Sequence, residues 1–253
     1  MNGYGFWTLL KKEIWRFSKV LVQTVLTPVI TALLYLLVFG HVLEGRMEVY
    51  PGVSYTAFLI PGLIMMSVLQ NAFANTSSSL IQSKMLGNLV FLLMAPLSAL
   101  ELFAAYVVAA VLRALMISAV LYGVGLLITP VPIASFATVL AMATLAAASL
   151  AVLGLIAGII ADKFEHLAAF QNFFVMPASF LSGVFYSIHS LPPFWRELSH
   201  YNPFFYLIDG FRHGFFGAGD VPVGLSLAWG CGFLLLSSAL CLRMLTTGYK
   251  LRP

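Results

Sequence analysis

The chain has 253 residues, 61% hydrophobic and 9% charged, with a mean hydropathy of +0.98 and a formal net charge of +4. A soluble domain is about half apolar and about a quarter charged, so this composition excludes a soluble globular enzyme and defines a polytopic membrane protein. The 13 Lys and Arg outnumber the 9 Asp and Glu, and their placement along the chain carries more information than their sum.

Residues 4–19 read as an amphipathic helix: Phe6, Leu9, Leu10, Ile14 and Phe17 recur at helical spacing, with Lys12, Arg16 and Lys19 on another face. Such a helix suits the headgroup layer, its basic face toward anionic lipid. A plain flank that orients the first crossing is the simpler alternative. The first crossing, 20–42, is uncharged and carries Gln23, Thr24, Thr27 and Pro28 in its first turns. Its length, with no small-residue cleavage site after it, argues against a cleavable signal peptide. A loop with Glu44, Arg46 and Glu48 leads to a second crossing at 54–73.

Polar residues then gather at Asn75-Thr76-Ser77-Ser78-Ser79 and Gln82-Ser83-Lys84. The apolar stretch 85–96 is too short to span, because ~30 Å of hydrocarbon takes about 20 helical residues; it reads as a short surface helix. A third crossing covers 102–128, a turn follows at Thr129-Pro130-Val131-Pro132, and a fourth, rich in Ala, Gly and Ser, covers 133–161. Asp162-Lys163-Phe164-Glu165-His166 closes it, and a fifth crossing is expected at 167–186. The segment 187–216 is broken at Leu191-Pro192-Pro193 and at Asn202-Pro203 and studded with aromatics, the pattern of a re-entrant or interfacial hairpin. A sixth crossing is expected at 221–242. The fold class is an all-α membrane protein in one domain, with six transmembrane helices, an interface helix before them and a hairpin before the last.

Charge placement sets the expected orientation. With the N-terminus inside, the cytoplasmic segments hold Lys11, Lys12, Arg16, Lys19, Lys84, Lys163, Arg243, Lys250 and Arg252, and the outer ones Arg46, Arg196 and Arg212. This asymmetry puts both termini in the cytoplasm and the hairpin outside. Arg113 lies near the middle of the third crossing, where insertion of an Arg costs about 2.5–3.5 kcal/mol. It should face protein or water, either lining a pathway or pairing with backbone carbonyls at a helix contact.

Several chemistries lack their residues. There is no G-x-x-x-x-G-K-[ST] phosphate loop. The five histidines, His41, His166, His189, His200 and His213, show no ligand spacing, and Cys231 and Cys241 form no metal or disulfide pattern. A membrane protease built from Ser182 with His189 or His200 lacks the G-x-S-G pattern, so a packing serine is the better reading. No crossing carries the paired Asp/Glu of an ion-coupled pump, so energy comes from a partner or transport is passive. Gly154/Gly158 and Ser179/Gly183 have the four-residue spacing of close helix contacts, which suggests tight packing of the fourth crossing on the fifth.

The succession Pro177-Ala178-Ser179-Phe180-Leu181-Ser182-Gly183-Val184-Phe185-Tyr186, then Leu191-Pro192-Pro193-Phe194-Trp195 and Leu198 to Asn202-Pro203, resembles the "P…FLSG.F…LP…L…NP" pattern of ABC-2-type exporter permeases. That bacterial group includes polysaccharide, lipo-oligosaccharide and drug exporters. Pro61-Gly62-Leu63 and Ala95-Pro96 also look like family positions, and the resemblance covers nearly the whole chain. It departs at Asn88-Leu89-Val90-Phe91, where the family often has acidic residues.

The resemblance implies a non-catalytic half-transporter of the inner membrane. Two copies would pair with two separate ABC ATPase subunits, which would bind the ATP and Mg; this chain would hold no cofactor and no nucleic acid. A coupling region at 83–96, with Ser83, Lys84, Met85, Leu86, Gly87 and Asn88 foremost, would carry the motion of the ATPases to the crossings. Gln23, Thr27, Gln171 and Asn172 are candidates to line the path, each equally suited to structural hydrogen bonding. Phe173, Phe174, Phe180 and Phe185 would form an apolar constriction or pack against lipid. Phe185 with Pro192, Pro193, Phe194 and Trp195 would gate the outer exit. An amphiphilic cargo (lipid, glycolipid, polysaccharide or drug) fits such a lining better than an ion. The alternative is a channel or carrier that works alone.

Overall fold

Small side chains decide which helices meet. The computed structural model describes residues 3–40, 42, 49–50 and 52–251; Glu44, Arg46 and Glu48, with His41 and Arg252, lie outside the described residues. The chain opens with α1 (Gly3–Ser18) and α2 (Leu21–Tyr35), which runs on into a π-helical turn, Leu36–Gly40. Next come α3 (Tyr55–Met85), the short α4 (Leu89–Met94), α5 (Ala99–Leu126) and α6 (Phe136–Ile160). After α6 the chain forms α7 (Phe164–Phe170), a π-helical turn (Gln171–Val175) and α8 (Met176–Phe180). A 3-10 turn (Ile188–Ser190), α9 (Pro193–His200), α10 (Pro203–Phe216) and α11 (Val223–Thr247) complete it. Among the described residues the one β feature is an isolated bridge, Tyr50 to Val53.

The core is the seam between α3 and α6, the most extensive helix contact in the molecule. A Cβ on Gly154 would lie 2.4 Å from the Phe73 carbonyl oxygen, and one on Gly158 3.1 Å from Leu80 Cβ. Glycine at both positions lets the two backbones approach. Thr76 uses that closeness, its hydroxyl donating to the Ala151 carbonyl at 2.7 Å. The glycine pair therefore faces the second crossing rather than the fifth. Ser179 instead bonds the Val175 carbonyl of its own helix, and Gly183 stands past the end of α8 at φ +76°. Around the seam, α5 packs on α3, while α10 and α11 pack on α6.

Two boundaries differ from expectation. α3 continues to Met85 rather than ending near Phe73, because Asn75, Thr76, Ser77 and Ser79 are buried against neighbouring helices instead of facing water. Thr76 and Ser79 find partners on α6 and α1, so a polar run that resembles a loop is a helix interior. α5 starts at Ala99, because Glu101 belongs to its capping box: Ser98 and Glu101 each accept the other's backbone N–H.

Among the described residues, five helices are long and apolar enough to cross a membrane: 21–40, α3, α5, α6 and α11. The expected crossing at 167–186 is built differently, from α7 and α8 joined through the π-helical turn, and leaves helical geometry after Phe180. α10, expected in the hairpin, is buried over most of its length among α3, α6 and α11.

A buried polar cluster fastens this second half. Arg212, fully buried on α10, donates to the carbonyls of Gly183 and Val184 and lies 3.8 Å over the Phe58 ring. Gly62 is the residue that makes room, since a Cβ there would sit 2.5 Å from the Val184 oxygen. Asp209 accepts the backbone N–H groups of Asp220 and Val221. Asp220 in turn accepts from Tyr50, Ser187 and the Ile188 N–H. Burial pushes the Tyr50 phenol above its ordinary range.

Candidate functional site: a polar cleft between α2 and α3

α2 makes few contacts with α3 and leans mainly on α5 and on its own π-helical turn. The space left between α2 and α3 is a cleft of about 390 Å³. Gln23, Thr24, Thr27 and Thr31 line it from α2, spaced three and four apart so that they share one helix face. From α3 come Ser78, Asn71, Gln70 and Ser67, then Met66 and Leu63, again at helical spacing. Gln23, Thr27 and Thr31 are exposed, so the cleft opens sideways out of the bundle.

Its floor is a buried ionic network linking three helices. Glu13 of α1 has no exposed side-chain surface, accepts from Arg16 Nε at 3.0 Å and from the Ser79 hydroxyl at 2.9 Å, and lies 3.2 Å from Lys12 Nζ. Arg16 Nη2 donates to both the backbone and the side-chain oxygen of Asn75, each at 2.8 Å. Arg113, on α5, donates to the same Asn75 Oδ1 at 3.1 Å and to Asn71 Oδ1 at 3.2 Å. Arg113 therefore lines a cavity and is held by side-chain amides, not by backbone carbonyls. Arg16 turns inward to this network, while Lys11, Lys12 and, just past α1, Lys19 are exposed.

The opposite end of the cleft meets an aromatic cluster. Tyr35, which lines the cleft, lies 5.3 Å from the Phe185 ring; Phe39 lies 5.2 Å and Phe180 5.6 Å from that ring. These separations are those of favourable aromatic pairs.

The sequence-derived candidates thus divide. Gln23, Thr27 and Arg113 come together in the cleft, and Phe180 and Phe185 join the cluster beside it. Gln171 is half-buried and Asn172 exposed on the π-helical turn, with Phe173 84% exposed, and none of the three lines the cleft. Pro192, Pro193, Phe194 and Trp195 are exposed at the start of α9, apart from Phe185. Ser182 donates to the carbonyls of Ala178 and Ser179 and is bonded to no histidine.

In the 83–96 region, Ser83–Met85 is the last turn of α3, and Leu86–Asn88 is a turn with Gly87 at φ +71°. Ser83 bonds the Ser79 carbonyl. Lys84 points inward: Nζ donates to the Ile159 and Ala161 carbonyls at 2.9 and 2.7 Å and lies 3.8 Å from Asp162. It satisfies carbonyls left open at the end of α6 and places a cation there, where the helix dipole favours one. Lys250 joins it on the Ile160 carbonyl and Asp162. What this end exposes is Asn88 with apolar Met85, Leu86, Phe91 and Met94.

Sequence reasoning gave no role to Glu13, Asn71, Thr31, Tyr35 or Phe39. The stripe Gln23–Thr27–Thr31–Tyr35 was available as a four-residue repeat. The contacts of Glu13 with Ser79 and of Asn71 with Arg113 carry no such signal, because each joins two different helices.

The helical, apolar fold agrees with comparison to known proteins. Residues 4–216 match the family model of the ABC-2 type transporter. The chain is 38% identical to the inner membrane transport permease YadH of Escherichia coli K12, over 98% of each chain. It is 24% identical to nodulation protein J of Rhizobium meliloti, over 96% of this chain and 95% of that one. The protein belongs to the ABC-2 type transporter family and is a transmembrane permease.

Proposed function

We propose that the chain is the permease subunit of an ATP-driven exporter in a bacterial inner membrane, with both termini cytoplasmic. Two copies form the translocation path, and two separate ABC ATPase subunits bind and hydrolyse ATP with Mg. The observation that carries this reading is the laterally open polar cleft beside α2, a helix that packs loosely on a tightly sealed α3–α6 frame. A second copy facing α2 would close the cleft into a path, with Gln23 and Thr27 on its wall. Its cargo is amphiphilic, since the lining passes from polar to apolar along one groove. The relatedness to a transport permease supports the class.

Met85, Leu86, Phe91 and Met94 form an exposed apolar patch at the end that also carries α1 and Lys84, and this patch is the docking face for the ATPase. Lys84 holds the ends of α3 and α6 together so that a push on the patch reaches both. The aromatic cluster at Phe185 is the outer constriction.

The test is extraction of a tagged copy from its native membrane in mild detergent, with mass and ATP turnover measured on the particle. Two permeases with two nucleotide-binding subunits and ATP hydrolysis support the reading. A lone chain without ATPase activity, repeated after a gentler extraction, overturns it in favour of a channel or carrier working alone. Leu86→Asp with Phe91→Asp should then leave a folded permease that no longer retains the ATPase subunits.

A further inference from the structure

The cleft has a direction and a charge. Going along α3 from Ser78 through Asn71, Gln70 and Ser67 to Met66 and Leu63, its wall changes from polar to apolar. At the polar end two guanidiniums, Arg16 and Arg113, share the oxygen of Asn75. One carboxylate, Glu13, is available to them, and it pairs with Arg16. Lys12 shares the same carboxylate from the exposed side, so cations outnumber anions here, and Arg113 has no carboxylate within 4.0 Å among the described residues. The cleft lining itself contains no Asp or Glu.

Three buried donors at this end also lack partners among the described residues: Arg113 Nε, Gln70 Nε2 and Asn75 Nδ2. An amide oxygen satisfies a guanidinium's hydrogen bonds but not its charge, and an uncompensated charge inside a membrane protein is costly. An anion entering here would meet a cation at low dielectric, where charge-assisted bonds are strongest.

We propose that the floor of the cleft binds the phosphate or carboxylate headgroup of an anionic amphiphile. Arg113 and Gln70 donate to it, and the apolar part lies along Met66 and Leu63 toward Tyr35. This deepens the transport reading by naming the chemical class of the cargo. It is tested on the permease alone, so loss of an ATPase partner and failure of this site are separate results.

The experiment titrates the full chain, in nanodiscs of zwitterionic lipid, with dodecyl phosphate, dodecyl maltoside and inorganic phosphate. Dodecyl phosphate should bind more tightly than both. Arg113→Gln should weaken it by about tenfold or more, the scale of one charge-assisted hydrogen bond, and Arg113→Lys should recover most of that loss. Gln70→Leu removes a donor that has no partner among the described residues, so it should fold as wild type and still weaken binding several-fold. Equal binding of dodecyl maltoside overturns the anion site, and equal binding of inorganic phosphate overturns the amphiphile. Unchanged affinity in both Gln70→Leu and Arg113→Gln overturns the location.

Discussion

α3 turns one face to α6 and another to α2, and the two faces are built on opposite rules. Toward α6 it meets glycines, with carbonyls and side chains interleaved closely enough that a single added Cβ would collide. Toward α2 it presents amides and hydroxyls across an open cleft. The most apolar stretch of α3 is 78% buried, whereas that of 21–40, α2 with its π-helical turn, is 17% buried. Inside a bilayer, helices gain no hydrophobic driving force from touching each other, so close van der Waals contact between small residues has to hold a frame together. Polar residues are retained where they find partners or line a cavity. One helix thus separates a fixed seam from a region of low contact density, which is where opening motions concentrate.

The contrast can be attacked first at the ionic floor. Glu13→Ala removes the carboxylate that balances Arg16 and leaves the guanidiniums of Arg16 and Arg113 sharing the Asn75 oxygen with no anion beside them. Breaking a buried pair in this way costs about 3–5 kcal/mol. The expected result is a large fall in melting temperature of the detergent-solubilised protein, with Glu13→Gln falling less because it still accepts hydrogen bonds. A Glu13→Ala protein as stable as wild type would show that α1 is not anchored through this network.

The seam comes next. Gly154→Val drives a branched side chain into the Phe73 carbonyl, and overpacking of this kind costs about 1–3 kcal/mol, occasionally more. The same substitution at Gly123, where a Cβ meets nothing within 4 Å, should cost far less. Equal losses at the two sites would remove the distinction between seam and periphery.

The smallest stability effect is expected in the cleft wall. Thr27→Val changes an exposed position on α2 and should shift stability by no more than about 0.5 kcal/mol. Its consequence should appear in transport of an amphiphilic probe by reconstituted vesicles. Normal transport would place Thr27 outside the path, whatever the cleft contributes.

Much of the helical framework was legible in the residues. Apolar runs of sufficient length located α2, α5, α6 and α11. The spacing of Phe6, Leu9, Leu10, Ile14 and Phe17 located α1, whereas Asn202-Pro203, read as a break in a hairpin, is where α10 begins at an Asn cap. The end of α3 was not legible. Asn75 to Ser79 look like a loop by composition, and only the helices packed on them make them an interior. The site was half legible: Gln23, Thr27 and Arg113 stand out as polar residues in apolar helices, while Gln171 and Asn172 stand out equally and lie elsewhere.

By itself the sequence determined a multi-helix membrane protein, the positions of most crossings and the family pattern from Pro177 to Pro203. Length, hydropathy and proline placement are local properties and need no partner to act. Only the tertiary structure decided that Gly154 and Gly158 face α3 and that Lys84 seals α6 rather than pointing outward. It alone decided that Glu13, Arg16, Asn75 and Arg113 form one network. Pairing between helices far apart in sequence depends on which faces meet, and no single helix carries that information.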